Sequence, residues 1–233
     1  MDAYGYCYQN PINLVDPDGR EAEIVTPPND YLIKQDGTIE VTITKDKFDR
    51  FSIENKHGEI ESITQINKNK NGLLLLPESI TFNSNDPKSS FKLTLKEGNG
   101  YRAFINGEAA AALFGAASEA NFNDLGVVGF SLSDGSSPRP STSHKLGKNG
   151  DLRYLNTNQD GTGSNTNNSN FDYKRNSTLT NALYKYGWKD IISERLGNGK
   201  LLPHTSSSIE RNITSDHTTH LHLQGFKPKI IKK

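Results

Sequence analysis

The sequence predicts an α+β fold: an antiparallel sheet with flanking helices, preceded by a small β-rich segment. Three observations predict it. Residues 21–100 alternate apolar and polar with the period of two that marks half-buried strands. Two helical stretches follow, near 107–121 and 176–187. The chain then closes on Asp216-His217-Thr218-Thr219-His220-Leu221-His222-Leu223-Gln224, whose last residues alternate polar and apolar again. Three segments result: 1–20, 21–100 and 101–233.

Composition sets limits on partners. The 233 residues suffice for one large domain or two smaller ones. Lys+Arg and Asp+Glu are both 27, so the formal charge is zero. A balanced chain exerts no global pull on nucleic acid or on an anionic membrane, and neither is expected as a partner. The hydrophobic fraction of 33% is low for a globular chain, so part of it is expected to be loop. The single cysteine, Cys7, excludes an internal disulfide and a Cys-rich zinc site. No run of about eighteen apolar residues is present, so no membrane insertion is expected. The start of the sequence has neither a basic n-region nor an apolar h-region, so no signal peptide is expected.

In 21–100, strands are expected at Ile39–Thr44, Phe51–Glu54, Ile80–Phe82 and Phe91–Leu95. Turns separate them at Gln35-Asp36-Gly37, His57-Gly58, Asn85-Asp86-Pro87 and Glu97–Gly100. Leu73–Leu76 reads as a buried strand or the start of a short core helix. No chemistry stands out. The segment reads as a spacer or adaptor, and His57 as a turn residue.

The character changes after residue 100. Glu108–Ala117 is rich in small helix formers and predicts a core helix packed through its small side chains. Leu125–Leu132 reads as a buried strand. Residues 156–170 contain no apolar side chain and read as a solvated loop, in which Asp160 is not a ligand. A second helix follows, with Asn176 or Ser177 as N-cap, Leu179, Ala182, Leu183 and Tyr186 on one face, and Gly187 as terminator. Trp188–Ser193 is an expected strand, Gly197-Asn198-Gly199 a turn, and Asp216–Gln224 the last strand.

Three of the six histidines lie in that last stretch. On a strand, residues i and i+2 face the same way. His220 and His222 therefore share a face, with Leu221 and Leu223 packed behind. Upstream, His144 and Asp151 are separated by a turn containing Gly147 and Gly150. The glycines permit a reversal that brings both side chains to one point. Read alone, the pair could equally be a turn whose Asp caps its own backbone. His144, Asp151 and one histidine of His220-x-His222 form a His/Asp/His set suited to zinc, which takes three protein ligands in hydrolytic sites. The other histidine can handle a proton. Arg153 shares the strand face of Asp151, where it can orient a substrate carboxylate or pair with an acidic neighbour. His217 and His204 read as surface or loop histidines.

Two resemblances sharpen this reading. Residues 4–19 read Tyr-Gly-Tyr-Cys-Tyr-Gln-Asn-Pro-Ile-Asn-Leu-Val-Asp-Pro-Asp-Gly. Tyr4, Tyr6, Asn10, Pro11, Asp16, Pro17 and Gly19 resemble the closing motif of Rhs/YD-repeat proteins, with Gln9 where an Asn is usual. In that family a variable C-terminal toxin follows the motif. The chain then reads as a fragment, or as a cassette of the motif and its payload. Further on, His-x-x-Gly-x-x-x-Asp followed by His-x-His resembles the metallopeptidase group of lysostaphin-type enzymes, D-alanyl-D-alanine peptidases and hedgehog domains. His144, Gly147, Asp151, His220 and His222 carry this likeness. The penicillin-insensitive murein endopeptidases are the nearest branch, because Thr219 stands where the D-alanyl-D-alanine branch has a Glu.

This second resemblance implies that His144, Asp151 and His222 bind zinc and that His220 is the catalytic histidine. It implies an antiparallel α+β fold and cleavage of peptidoglycan stem or cross-link peptides. Together the two imply an antibacterial toxin exported by a dedicated secretion system. It would act in the periplasm or cell wall, with an immunity protein as candidate partner. A metal-dependent nuclease toxin and a non-catalytic cell-wall-binding module are the competing expectations.

Overall fold

A computed structural model describes residues 14–15, 23–24, 27–212 and 217–233. The Rhs-like motif falls outside the described residues except for Leu14 and Val15, and so does Asp216. The fold is α+β, mostly sheet with two α-helices. Among the described residues no helix is long and apolar enough to cross a membrane.

The short strands β1 (Leu14–Val15) and β2 (Glu23–Ile24) pair with each other. A five-stranded sheet follows, built from β3 (Asn29–Ile33), β4 (Thr38–Ile43), β5 (Phe48–Glu54) and β6 (Ile60–Asn67), with a fifth strand from the end of the chain. Its burial pattern alternates along β5, as the period-two pattern predicts. The expected Leu73–Leu76 element is the two-residue strand β7 (Leu74–Leu75), which pairs with β10 (Phe104–Ile105).

The larger sheet has seven strands. It contains β8 (Ser79–Phe82) and β9 (Phe91–Leu95), then β11 (Leu125–Gly129), β12 (Gly150–Arg153), β13 (Trp188–Ile192), β14 (Thr205–Ser206) and β15 (His220–Phe226). Its order is β14-β13-β15-β12-β11-β9-β8. The centre, β13-β15-β12-β11, is antiparallel as expected. Towards the edges, β9 runs parallel to β11 and β14 parallel to β13, so the sheet is mixed where an antiparallel one was expected. The parallel β9–β11 pair requires a crossover, and α1 (Gly107–Ala120) supplies it.

Helix α1 is the hub of the fold. Asn106 caps its start by accepting from the N–H groups of Glu108 and Ala109, and Asn121 ends it in the left-handed conformation (φ 54°). Nearly every residue of α1 is buried, which fits a helix apolar on all sides. It packs on β3, β4 and β5 of the first sheet, on β9 of the second, and on α2 (Tyr173–Tyr186). Phe114 of α1 meets Phe51 of β5 edge-to-face at 5.1 Å and stacks on Phe91 of β9 at 6.2 Å. Such pairs contribute about 0.5–1.5 kcal/mol each beyond area burial. The segments before and after residue 100, expected as spacer and catalytic segment, therefore contribute to one shared core. The C-terminal strand β16 (Lys229–Lys232) returns to the first sheet and pairs parallel with β4.

α2 begins earlier than the sequence suggests. Asp172, not Asn176 or Ser177, is its N-cap and accepts from the Arg175 N–H. Asn176 is fully buried, and its carboxamide bonds both backbone groups of Leu155. Its cap-like chemistry is used to fasten α2 to the end of β12.

The His144–Asp151 turn is anchored on the start of α1. Gly147 has φ +62°, and its carbonyl accepts from Asn106 N–H at 3.0 Å. A Cβ there would lie 2.6 Å from Asn106 N and 2.7 Å from Ile105 Cα, both backbone. Gly147→Ala is expected to cost about 1–3 kcal/mol for the left-handed backbone alone, with the clash added. A thermal melt checks it, at roughly 2–4 °C per kcal/mol for a chain of this size. Gly58→Ala is the control. Gly58 also has positive φ (+79°), but a Cβ there would meet nothing within 4 Å, so its melt should shift less.

Candidate metal centre

Three backbone segments bring three ligand atoms to one point. Asp151 on β12 lies directly opposite His222 on β15, so register alone places their side chains on one face. His144 reaches the same point from the turn before β12. The turn is fixed by the His144 N–H donating to Ser137 Oγ (3.0 Å) and the Asn149 carboxamide donating to Ser143 O (2.8 Å). Trp188 Nε1 donates to Lys148 O and ties the turn to β13. Leu221 and Leu223 are fully buried on the opposite face of β15, as alternation predicts.

The distances form a tight triangle. His222 Nδ1 is 2.8 Å from Asp151 Oδ1. His144 Nε2 is 3.2 Å from Asp151 Oδ1 and 3.2 Å from His222 Nδ1. All three residues are buried, and the group can hold a metal ion. An ion bonded at about 2.1 Å in tetrahedral geometry sets its ligands roughly 3.4 Å apart, close to what is found.

The donor chemistry fits as well. His144 Nδ1 lies 3.1 Å from the Phe130 carbonyl, which can only accept, so Nδ1 carries the hydrogen. In the neutral ring, Nε2 then presents a lone pair to the triangle. His222 Nε2 is 3.1 Å from Ser143 Oγ, an arrangement that leaves Nδ1 free to face the same point. His144 Nε2 and Asp151 Oδ1 both offer lone pairs to one buried spot, and either a hydrogen on His222 Nδ1 or a metal ion bound by all three atoms reconciles them. Burial pushes the Asp151 carboxyl up, but the His144 and His222 rings packed against it outweigh that and hold it well below the usual carboxylate range.

His220 stands beside the triangle rather than in it. Its Nε2 is 3.9 Å from Asp151 Oδ1, and Nδ1 is 3.2 Å from Thr219 Oγ1. Burial lowers its pKa, the Asp151 charge works against that, and His222, His144 and Arg102 reinforce it. The net direction is down, so the ring favours its neutral form. His220 lines a cavity of about 390 Å³ together with Lys96, Arg153, Gly163 and Ser164.

Arg153 lies opposite His220 in register, and its side chain reaches the polar loop. Its Nη1 donates to Gly161 O at 2.6 Å, so it pairs with a carbonyl rather than with an acidic neighbour. The loop 156–170 is fastened further by Asn156. Its carboxamide Nδ2 lies within hydrogen-bond distance of Asp160 Oδ1, Thr162 Oγ1 and Gly163 O, and its Oδ1 accepts from Gln159 N–H. Asp160 is thus a loop staple.

Two site residues escaped the sequence. His217 is buried, not a surface histidine. Its Nδ1 is 2.7 Å from Ser208 Oγ, and its ring centroid lies 5.1 Å from His220 and 5.4 Å from His222. Burial, with His220 and His222, pushes it down to about 4. Strand alternation does not govern it, because β15 starts only at His220. Arg102 donates to Asp151 Oδ2 at 3.4 Å, and its Nε is buried without a partner. No local pattern marks it. Of the remaining histidines, His204 stacks on Tyr184 at 4.0 Å and His57 is exposed in its turn.

Comparison with protein-family models, with curated proteins and with solved structures gives no match for this chain.

Proposed function

We propose that this chain is a zinc-dependent peptidase that cleaves peptidoglycan stem or cross-link peptides, with a catalytic fold of the lysostaphin/D-alanyl-D-alanine peptidase type. The observation that carries the reading is the buried triangle of His144 Nε2, Asp151 Oδ1 and His222 Nδ1, with the His144 lone pair directed inward by its bond to Phe130 O. Two imidazoles and one carboxylate match the three protein ligands of hydrolytic zinc sites. When bound, zinc lowers the pKa of water and polarises a carbonyl.

The chain's own groups supply the rest. His220, kept neutral by burial, accepts a proton at the mouth of the cavity and returns it to the leaving amine. Arg102 engages Asp151 through Oδ2 and so leaves Oδ1 directed into the triangle. Its guanidinium adds a fixed positive charge beside the triangle. His217 packs against His220 and narrows the orientations open to that ring. Arg153 holds the polar loop as the cavity wall, which positions substrate indirectly.

The Rhs-like motif at residues 4–19 supports delivery as a toxin payload by a dedicated secretion system. The place of action would then be the periplasm or cell wall, with an immunity protein in the producing cell. Purified protein incubated with peptidoglycan, with and without chelator, tests the reading, and nucleic acid serves as a parallel substrate. New muropeptides that vanish with chelator are expected. Their absence overturns the peptidase, and chelator-sensitive loss of nucleic acid replaces it with the nuclease.

A further inference from the structure

A second depression, also of about 390 Å³, lies between the polar loop and the start of α2. It shares Asn168 with the cavity at His220, so the two form neighbouring lobes. The loop between them is stitched to the segment before β15 by Thr166 N–H donating to Thr218 O at 2.9 Å.

Its lining has a distinct chemistry. Thr166, Asn167 and Asn168 contribute a hydroxyl and carboxamides, Tyr173, Phe171 and Leu196 contribute apolar surface, and no charged side chain takes part. Tyr173 is 40% exposed, with its hydroxyl fixed on Leu201 O at 3.3 Å. Tying down the hydroxyl presents a fixed aromatic ring at the rim. Thr166 is only 4% exposed, yet its Oγ1 has no hydrogen-bond partner. A buried hydroxyl left unpaired is costly, and Thr166 Oγ1 lies just beneath the floor of the depression rather than open to it.

We propose that this depression is a subsite for a neutral N-acetylated saccharide. A neutral lining disfavours phosphorylated or anionic ligands, whose charge would be desolvated without a partner. Carboxamides offer a donor and an acceptor side by side, which matches an acetamido group or vicinal hydroxyls. The Tyr173 ring offers a flat apolar face to the C–H side of a sugar, and Leu196 and Phe171 offer contact for an acetyl methyl. The inference rests on the peptidase reading only for the ligand's source. A polymer in which peptides hang from N-acetylated sugars would fill both lobes at once.

The test titrates the β-1,4-linked N-acetylglucosamine trimer into the full chain, followed by backbone amide shifts, with chelator present throughout. Saturable binding with Kd of about 1 mM or tighter is expected, with shifts centred on residues 166–173. Tyr173→Ala should weaken it roughly tenfold, and the exposed-loop variant Asn167→Ala should weaken it too. A glucose trimer should bind more weakly. Absence of saturable binding overturns the subsite, as does binding indifferent to both variants. Equal affinity for the glucose trimer overturns its N-acetyl selectivity. Since chelator is present, failure here leaves zinc-dependent hydrolysis standing. Failure to release muropeptides, in turn, leaves saccharide binding standing.

Discussion

His222→Ala is expected to abolish both zinc binding and muropeptide release. The substitution removes one corner of the triangle, the nitrogen 2.8 Å from Asp151 Oδ1 and 3.2 Å from His144 Nε2. Two ligands remain, one fewer than a hydrolytic zinc site uses. Removal of a partner that merely orients a ligand already costs 10–100-fold in affinity as a rule, and deletion of a ligand costs more. Metal content by mass spectrometry reads the loss directly. Thermal melts read it independently, because zinc at about 1,000 times its Kd stabilises the folded state by about 4 kcal/mol. Wild type should therefore gain stability on zinc addition and His222→Ala should not. Without metal, the two melts should lie closer together, since the triangle then contributes no binding energy to the folded state. Stoichiometric zinc in the variant would show that the triangle is not the metal site.

The parts of the site that the sequence made legible are those governed by a local rule. His220, Leu221, His222 and Leu223 alternate, and β15 sends the histidines to one face and the leucines to the core. Gly147 signalled a backbone reversal between His144 and Asp151, and it has the positive φ that such a turn requires. What stayed hidden depends on tertiary contact. Arg102 meets Asp151 from a part of the chain 49 residues away. His217 enters the site from an irregular segment that carries no period. Asn176 has the chemistry of a cap, but the backbone of Leu155 claims it. The parallel pairing of β16 with β4 joins segments from opposite ends of the described chain, and no spacing rule reports it.

His220→Ala is expected to do the opposite of His222→Ala: it should keep zinc and lose turnover. The two residues sit two apart on one strand face, yet only His222 reaches the triangle. His220 Nε2 stays 3.9 Å from Asp151 Oδ1, beyond hydrogen-bond reach and beside the cavity. Its removal therefore leaves all three ligand atoms in place, so metal content and the zinc-induced rise in melting temperature should match wild type. Turnover should fall by about 10²–10⁴-fold, the usual contribution of a positioned acid–base group. The pH profile supplies a readout that a structural role would not move. Burial lowers the His220 pKa, so its neutral, proton-accepting form extends below the ordinary histidine pKa of about 6.5. Wild-type kcat/KM should hold through neutral pH and fall only as pH drops below that value, because protonation then removes the base. In His220→Ala this limb should disappear from whatever activity remains. Retained turnover with an unchanged acid limb would shift the proton-transfer role to another group. His217 is the candidate, buried behind the cavity with its ring 5.1 Å from His220. The His217→Ala/His220→Ala pair separates the two. If His217 only steadies His220, its loss should cost nothing further once His220 is gone.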